Sequence, residues 1–489
     1  MKTFQDYLSA PDKLDFIRQA INDHLNSEVY KIAVTADEYE RQQNTTIRSY
    51  VKYLYTQTGQ KVVDFTATNN KLCNNFFHRL NTDRCAYSLG NGITFPEDNP
   101  SPRNVKNNLI ITDIAAKQGS GIKVTIKERL GKQFDTILYN CGYYALIHGV
   151  CYAFWNMDTL HLFPVTQFCP LYDEDTGRLR AGIRFWSLDW GNKPVEAVLY
   201  LEEGYIRYRT KPGSKGLDLV EYQPLRAYKQ EIAYTAADGD EIVGESNYGS
   251  LPIIPLYGSR RKQSTLIGMR DKLDAYDLIQ SGFANDLQDC AEIYWIISNA
   301  MGMTDPDMNR FRDRIKLNHI AVADTENSPV TPYTQEIPFQ ARKAFLDDIR
   351  NSLYEDFGDL DVHTVAAGDT NDHIDAAYQP MDEEADDFEY QIITFVRQLL
   401  SLLGVDAVPQ FKRNRISNQK EQTEMVLSAY GEGVIDRQTS VEKLSWITVD
   451  EVDAILDRMD AQDVADKRDM EKLRKAMEDD QAREDGEED

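Results

Sequence analysis

The densest set of chemistry-bearing side chains in this 489-residue sequence is the run GDTNDHID, Gly368 to Asp375. Asp369, Asp372, His373 and Asp375 supply carboxylate and imidazole donors, the set from which a divalent-metal site for phosphodiester hydrolysis is built. Asn371 adds an amide, and His363 a second imidazole in the same polar stretch. The spacing misses the alternating donors of a calcium loop, so the run reads as a flexible, solvated loop and no metal is expected. In YDEDTG, Tyr172 to Gly177, acids and a glycine between two strand-like runs read as a hairpin turn. His78, His148 and His161 fall on apolar elements as structural residues. SRRKQS places Arg260, Arg261 and Lys262 just before a long helical pattern; a solvated helix start and a contact with DNA or a protein partner both fit.

The phosphate, dinucleotide, zinc-protease and serine-hydrolase signatures GxxxxGK[ST], GxGxxG, HExxH and GxSxG are absent. An ATPase or dinucleotide enzyme is therefore not expected, nor a cofactor. With 80 acidic against 54 basic side chains the formal charge is -26. Such a surface repels nucleic acid at long range and argues against a conventional DNA-binding protein. It still suits a protein that surrounds DNA without gripping it. Cys73, Cys85, Cys141, Cys151, Cys169 and Cys290 form no CxxC pair and read as reduced thiols. The N-terminal residues lack a signal-peptide layout and no apolar run approaches a membrane span, so a soluble chain without membrane contact is expected.

These residues need elements to position them. The first 150 residues read as helices: Leu14, Ile17, Ile21 and Leu25 share a stripe, Thr35 and Glu38 suggest a capping box, and Leu72, Phe76 and Leu80 align before Gly90. A fourth pattern carries Phe134, Leu138 and Cys141 toward Gly149. From 150 to 248 the period becomes two, giving an antiparallel meander. Between Pro255 and Pro306 lies GMRDKLDAYDLIQSGFANDLQDCAE, one helix of about 25 residues with Met269, Leu273, Tyr276, Phe283 and Leu287 on its apolar side. Asp274, Asp277, Asn285 and Asp289 form its polar side. IYWIIS and KLNHIAVAD read as strands flanking a helical piece. A second helix follows Pro338, with Phe339, Leu346, Ile349, Leu353 and Phe357 in line. After a polar segment, a third starts at Pro380 with Asp382, Glu383, Glu384, Asp386 and Asp387 at its positive end, then Phe388, Ile392, Phe395, Leu399 and Leu402. The remainder reads as helical, with an acidic, solvated tail.

The order of these elements, and the phrases NNFFHRLNTDRCAYSLGNGITF, LYDEDTGRLRAGIRFW, LPIIPLYG with LDAYDLIQSGFANDLQDCAE, and FKRNRISNQKEQTEMVLSAYGEGVIDRQTSVEKLSWITVDE, resemble the portal proteins of tailed bacteriophages, in the branch of long-tailed phages of Gram-positive hosts. HIDAAYQP departs from that pattern by lacking a Ser-Gly phrase. The resemblance implies an α+β, mainly helical fold: a wing over 1–262 with strands at 150–248, a stem helix over 263–291, a clip over 292–337, a second stem helix over 338–357, a tunnel loop over 358–379, a long wing helix over 380–405, a crown over 406–465 and a tail over 466–489. It also implies a non-enzymatic ring of about twelve subunits at one capsid vertex, through which double-stranded DNA is packaged and ejected. Implied partners are terminase, a head completion or adaptor protein, and the major capsid and scaffolding proteins. The virion is the implied location, after assembly in the host cytoplasm. Asp274, Asp277, Asn285 and Asp289 become candidates for the channel face, and His363, Asp369, Asn371, Asp372, His373 and Asp375 for the tunnel loop. A head-tail adaptor and a metal-dependent DNA-processing enzyme are the alternative readings.

Overall fold

The computed structural model describes residues 2–55, 59–65, 67–96, 125–187, 195–214, 216–235, 239–289, 294–297, 304, 306, 330–333, 338–361, 371–414, 419–444, 447, 452, 455–459, 461–462 and 470. Its helices are α1 (Phe4–Ser9), α2 (Lys13–Asn26), α3 (Glu28–Glu40), α4 (Thr45–Ser49), α5 (Phe76–Leu89), α6 (Ile126–Leu130), α7 (Phe134–His148), α8 (Leu266–Asp289), α9 (Phe339–Phe357), α10 (Asn371–Leu402), α11 (Gln419–Gly431) and α12 (Arg437–Glu442). Residues 1–361 with 379–414 make one compact unit, and 362–378 with 415–489 a second. Within the second, α11 and α12 pack together, with Val441 buried.

In the first unit, strands β6 (Phe168–Tyr172), β7 (Leu179–Ser187), β8 (Val195–Leu201), β9 (Gly204–Thr210) and β10 (Leu219–Arg226) form an antiparallel meander in sequence order. Alternation along β8 shows why it is stable. Ala197 and Leu199 join a core with Phe16, Ile17 and Ile21 of α2, while Val198 and Tyr200 face Phe163, Tyr152 and Tyr228. Asp173 accepts hydrogen bonds from the amides of Asp175 and Thr176 (3.2 and 2.8 Å), which makes YDEDTG the β6–β7 turn. Strands β4 (Val150–Trp155), β5 (Leu160–Pro164) and β13 (Ile253–Tyr257) form a separate sheet with β4 central. One face of β4 presents Tyr152 to the meander; the other presents Cys151, Ala153 and Trp155 to a core shared with α7 and with Phe388, Ile392, Phe395 and Leu399 of α10.

Several local expectations are corrected. Thr35 caps nothing: α3 starts after Ser27, whose side chain accepts from the Tyr30 amide, and the Thr35 hydroxyl bonds back to the Lys31 carbonyl as helical threonines do. Leu72 precedes α5 and is exposed. Strand β14 (Tyr294–Ile297) pairs with β15 (Val330–Tyr333); KLNHIAVAD lies outside the described residues. The stretch after 406 includes β16 (Gln410–Phe411), paired with β3 (Ile93–Thr94). Helix α10 starts at Asn371 and carries Pro380 in its interior, although proline donates no backbone bond there and usually marks a helix start.

The start of α8 is held by the end of α7. The Thr265 amide donates to the Leu146 carbonyl at 3.1 Å, and the Ser264 hydroxyl donates to that of Ile147. This close approach requires Gly149, whose φ of +89° lies in the left-handed region and where a Cβ would stand 2.6 Å from the Gln263 carbonyl carbon. Gly149→Ala should therefore cost about 2 kcal/mol or more of stability, seen as a lower thermal midpoint, whereas Gly177→Ala, at an open turn with a similar φ, should cost about 1 kcal/mol.

Candidate functional site: the paired long helices

Helices α8 and α9 pack along one another. Leu266, Met269 and Leu273 share a core with Ile349, Leu353 and Phe357, completed by Ala36, Tyr39, Phe77 and Leu80. Ion pairs join them at both ends, Lys272 to Asp356 and Arg342 to Asp286. The Phe283 and Phe339 rings sit 5.7 Å apart. The apolar stripe read from the sequence holds only in part: Leu287 and Phe339 are exposed, so it turns outward at the far end of the pair.

The polar side of α8 is the unexpected part. Asp274, Asp277, Ser281 and Asn285 recur at three and four residues and so form one stripe. They do not face open solvent. Asn285 accepts from the Asn70 amide at 2.6 Å, the Ser281 hydroxyl from the Leu72 amide at 2.9 Å, and Asp277 from the Asn74 amide at 2.6 Å. Alternate residues of a descending segment thus meet successive turns of the helix. The periods match: two extended residues advance about 6.6 Å and four helical residues about 6 Å. Asp277 also accepts from the side-chain amides of Asn74 (2.7 Å) and Asn44 (2.5 Å). One turn earlier, Asp274 accepts from Tyr39 and from the Thr46 hydroxyl at 2.7 Å.

This corrects the expected channel face. Asp277 has 0% exposure and Asn285 is buried, both beneath residues 44–74 of their own chain, so neither reaches a solvent surface. Asp274 is mostly covered and paired with Arg270 (3.7 Å). Asp289 ends the helix, and its side chain lies outside the described set. Burial pushes the Asp277 carboxyl above its ordinary range, and the amides of Asn44 and Asn74 oppose that shift. Sequence reading missed Asn44, Asn70 and Asn74. For Asn70 and Asn74 the signal was the amide-rich NNKLCNN, Asn69 to Asn75, whose donors suit a run of carboxylate and amide acceptors; Asn44 lies outside it.

The acids of α10 have partners too. Since the helix begins at Asn371, Asp382 to Asp387 are interior rather than at its positive end. Arg413 bonds Asp382 (2.8 Å), Glu389 (3.0 Å) and Asp386. These carboxylates, Glu389 foremost, hold its guanidinium well above the ordinary range. Arg84 is buried, pairs with Glu384 at 3.2 Å, donates to the Phe357 carbonyl and stacks on the Phe357 ring at 3.8 Å. Burial lowers its pKa.

Of the remaining candidates, Arg260, Arg261 and Lys262 are exposed on a turn. The Arg260 amide donates to Asp387 (3.1 Å), and the Lys262 ammonium lies 4.5 Å over the Tyr257 ring. His363 and Asp369 lie outside the described residues, as do the side chains of Asn371, Asp372, His373 and Asp375 in the first turns of α10. Among the described residues no cluster of His, Cys, Asp and Glu is arranged to hold a metal, and no helix is long and apolar enough to cross a membrane. His148, buried, bonds Asp37 at 2.8 Å, and His78 bonds Glu40 at 3.0 Å.

In this mixed helix and sheet chain the polar residues named above serve packing around two long helices, and the sequence places it among phage portal proteins. The chain belongs to the family described as "Phage portal protein, SPP1 Gp6-like", whose model matches residues 19–472. Similar curated proteins include the portal protein of Bacillus phage SPP1, 23% identical over 80% of this chain and 76% of that one. The portal protein of Clostridium phage phiCD119 is 22% identical over 78% and 82% respectively. A solved chain from the neck of a native GTA particle, computed with C12 symmetry, aligns at 11% identity and a TM-score of 0.38, covering 77% of this chain and 91% of that one. The role of this chain is that of a structural portal component of the phage capsid.

Two outcomes are expected. Asp277→Ala removes the shared acceptor of three hydrogen bonds in a buried site and should cost about 3 kcal/mol, read by urea denaturation, with Asn74→Ala non-additive to it. Asp359, just beyond α9, is pushed up to about 6 by burial, with Asp83 adding to the shift, and its Oδ2 has no hydrogen-bond partner among the described residues. The folded chain then keeps a proton that the unfolded chain releases near pH 3.8. Stability contributed by this group therefore falls as pH rises from about 4 to 6 and is gone above that. Asp359→Asn should flatten that slope and raise stability at pH 7 by about 1 kcal/mol.

Proposed function

We propose that the chain assembles as a closed ring of about twelve copies at one capsid vertex, through which double-stranded DNA enters and leaves. The observation that carries this is the family match across residues 19–472. The charge supports it: a ring multiplies -26 per subunit, and an anionic wall lets DNA slide without the counterion release that makes binding tight. The anionic lining then comes from exposed acids of the helix pair, such as Asp271, Asp347 and Asp348, rather than from the covered Asp277 stripe. The proposal extends to the segments: wing over 1–262, stem helices around α8 and α9, clip over 292–337, a tunnel segment over 358–379 that is helical from Asn371 rather than a loop throughout, and crown over 406–465. Terminase, a head completion protein, and the capsid and scaffolding proteins are the proposed partners; the chain acts without catalysis and is assembled in the host cytoplasm.

Imaging by negative stain together with mass measurement of the purified protein should show rings of about twelve or thirteen subunits with a central hole; a monomer at all salt concentrations would refute the proposal. Replacing Asp369, Asp372, His373 and Asp375 with alanine should leave ring formation intact and lower DNA packaging or retention.

A further inference from the structure

One apolar surface of the first unit is covered by nothing in the described chain. Strands β1 (Tyr53–Tyr55) and β2 (Lys61–Val63) pair only with each other, Tyr53 opposite Val63, Leu54 opposite Val62 and Tyr55 opposite Lys61. Side chains alternate across a strand, so Tyr53 and Tyr55 stand on one face and Leu54 and Val62 on the other. All four are exposed, Tyr55 at 72%, and Phe65 just beyond β2 is exposed at 90%. Neither face of this hairpin rests on a core. A lone two-stranded hairpin is marginal in water, and a contiguous exposed apolar patch marks an interaction site. The base, by contrast, is fixed, because residues 70–74 are bonded to α8. The geometry is that of an arm held firmly at its root and bare along its strands.

Charge selects the occupant. Residues 48–71 hold Arg48, Lys52, Lys61 and Lys71 against one acid, Asp64. This is +3 within a chain of -26, so the remainder of each chain carries -29. Lys61 covers the Tyr53 ring at 4.0 Å, combining cation and aromatic at one spot. Duplex DNA would match the cations, but it gives Leu54, Val62 and Phe65 nothing to bury against, and aromatic stacking needs unpaired bases. A strongly acidic protein surface satisfies both features.

We infer that the β1–β2 hairpin is an arm that docks on a second copy of this chain, with its apolar side chains buried and its basic flank against the acidic surface of that copy. The inference rests on the ring reading above and names the contact that holds neighbouring subunits together.

The test uses the full-length protein. The triple variant Tyr53→Ser, Tyr55→Ser, Phe65→Ser changes side chains already exposed in the single chain, so its circular dichroism should match wild type. Mass photometry should then find the wild type as rings and the variant as monomers and small oligomers, with association weakened about tenfold or more. With p-benzoylphenylalanine at position 55, irradiation should cross-link two copies, with a peptide from each. A variant that assembles like wild type, or a cross-link only to added duplex DNA, would overturn the inference while wild-type rings leave the ring reading standing. A monomeric wild type would overturn both.

Discussion

A carboxylate with no access to water needs a full set of donors, and Asp277 has them: the Asn74 amide and the side-chain amides of Asn74 and Asn44. Removing a charged group from solvent without such partners costs several kcal/mol. The arrangement therefore fixes Asn44 and residues 70–74 against α8, and adds register, since the Asn70, Leu72 and Asn74 amides each meet a different turn of the helix. Asn285 and Ser281 extend the clamp along the helix at matching intervals. The hairpin between Asn44 and residues 70–74 takes its position from that clamp.

The same principle recurs around α10. Arg84 and Arg413 are brought in to neutralise acids that the helix carries in its interior, and each also ties a distant segment to it: the end of α9 through the Phe357 carbonyl, and the 410–414 segment through Arg413. The Asn414 amide donates to the Tyr87 carbonyl at 2.9 Å, and Tyr87 donates to Asp382 at 2.7 Å, closing that network. A chain of net charge -26 thus places a few of its cations against its own interior acids.

Sequence periodicity located the long elements well. The pattern from Gly268 onward placed α8, and the apolar face of α10 was legible because Phe388, Ile392, Phe395 and Leu399 recur at helical spacing and are all buried. Polarity was misread as exposure. Asp277 and Asn285 look like a solvent face because one-dimensional patterns record residue type and not which segment covers it; their donors lie some 200 positions earlier, in NNKLCNN. Pro380 suggested a helix start for the same reason: local preference names the common outcome, while tertiary contacts decide. Here the Pro380 carbonyl lies against Gly358, where a Cβ would come within 3.2 Å of it, and Arg84 holds Glu384 one turn on. The family resemblance added what no spacing could, the role of the whole.

The central claim is that the acidic stripe of α8 is a clamp on its own chain. Hydrogen exchange of the Asn70, Leu72 and Asn74 amides in the native protein tests it most directly. If the clamp exists, these three amides exchange as slowly as the interior of α8 and together with it, although they lie in a segment without regular secondary structure. Exchange at the rate of a solvated loop, with α8 still protected, would contradict it.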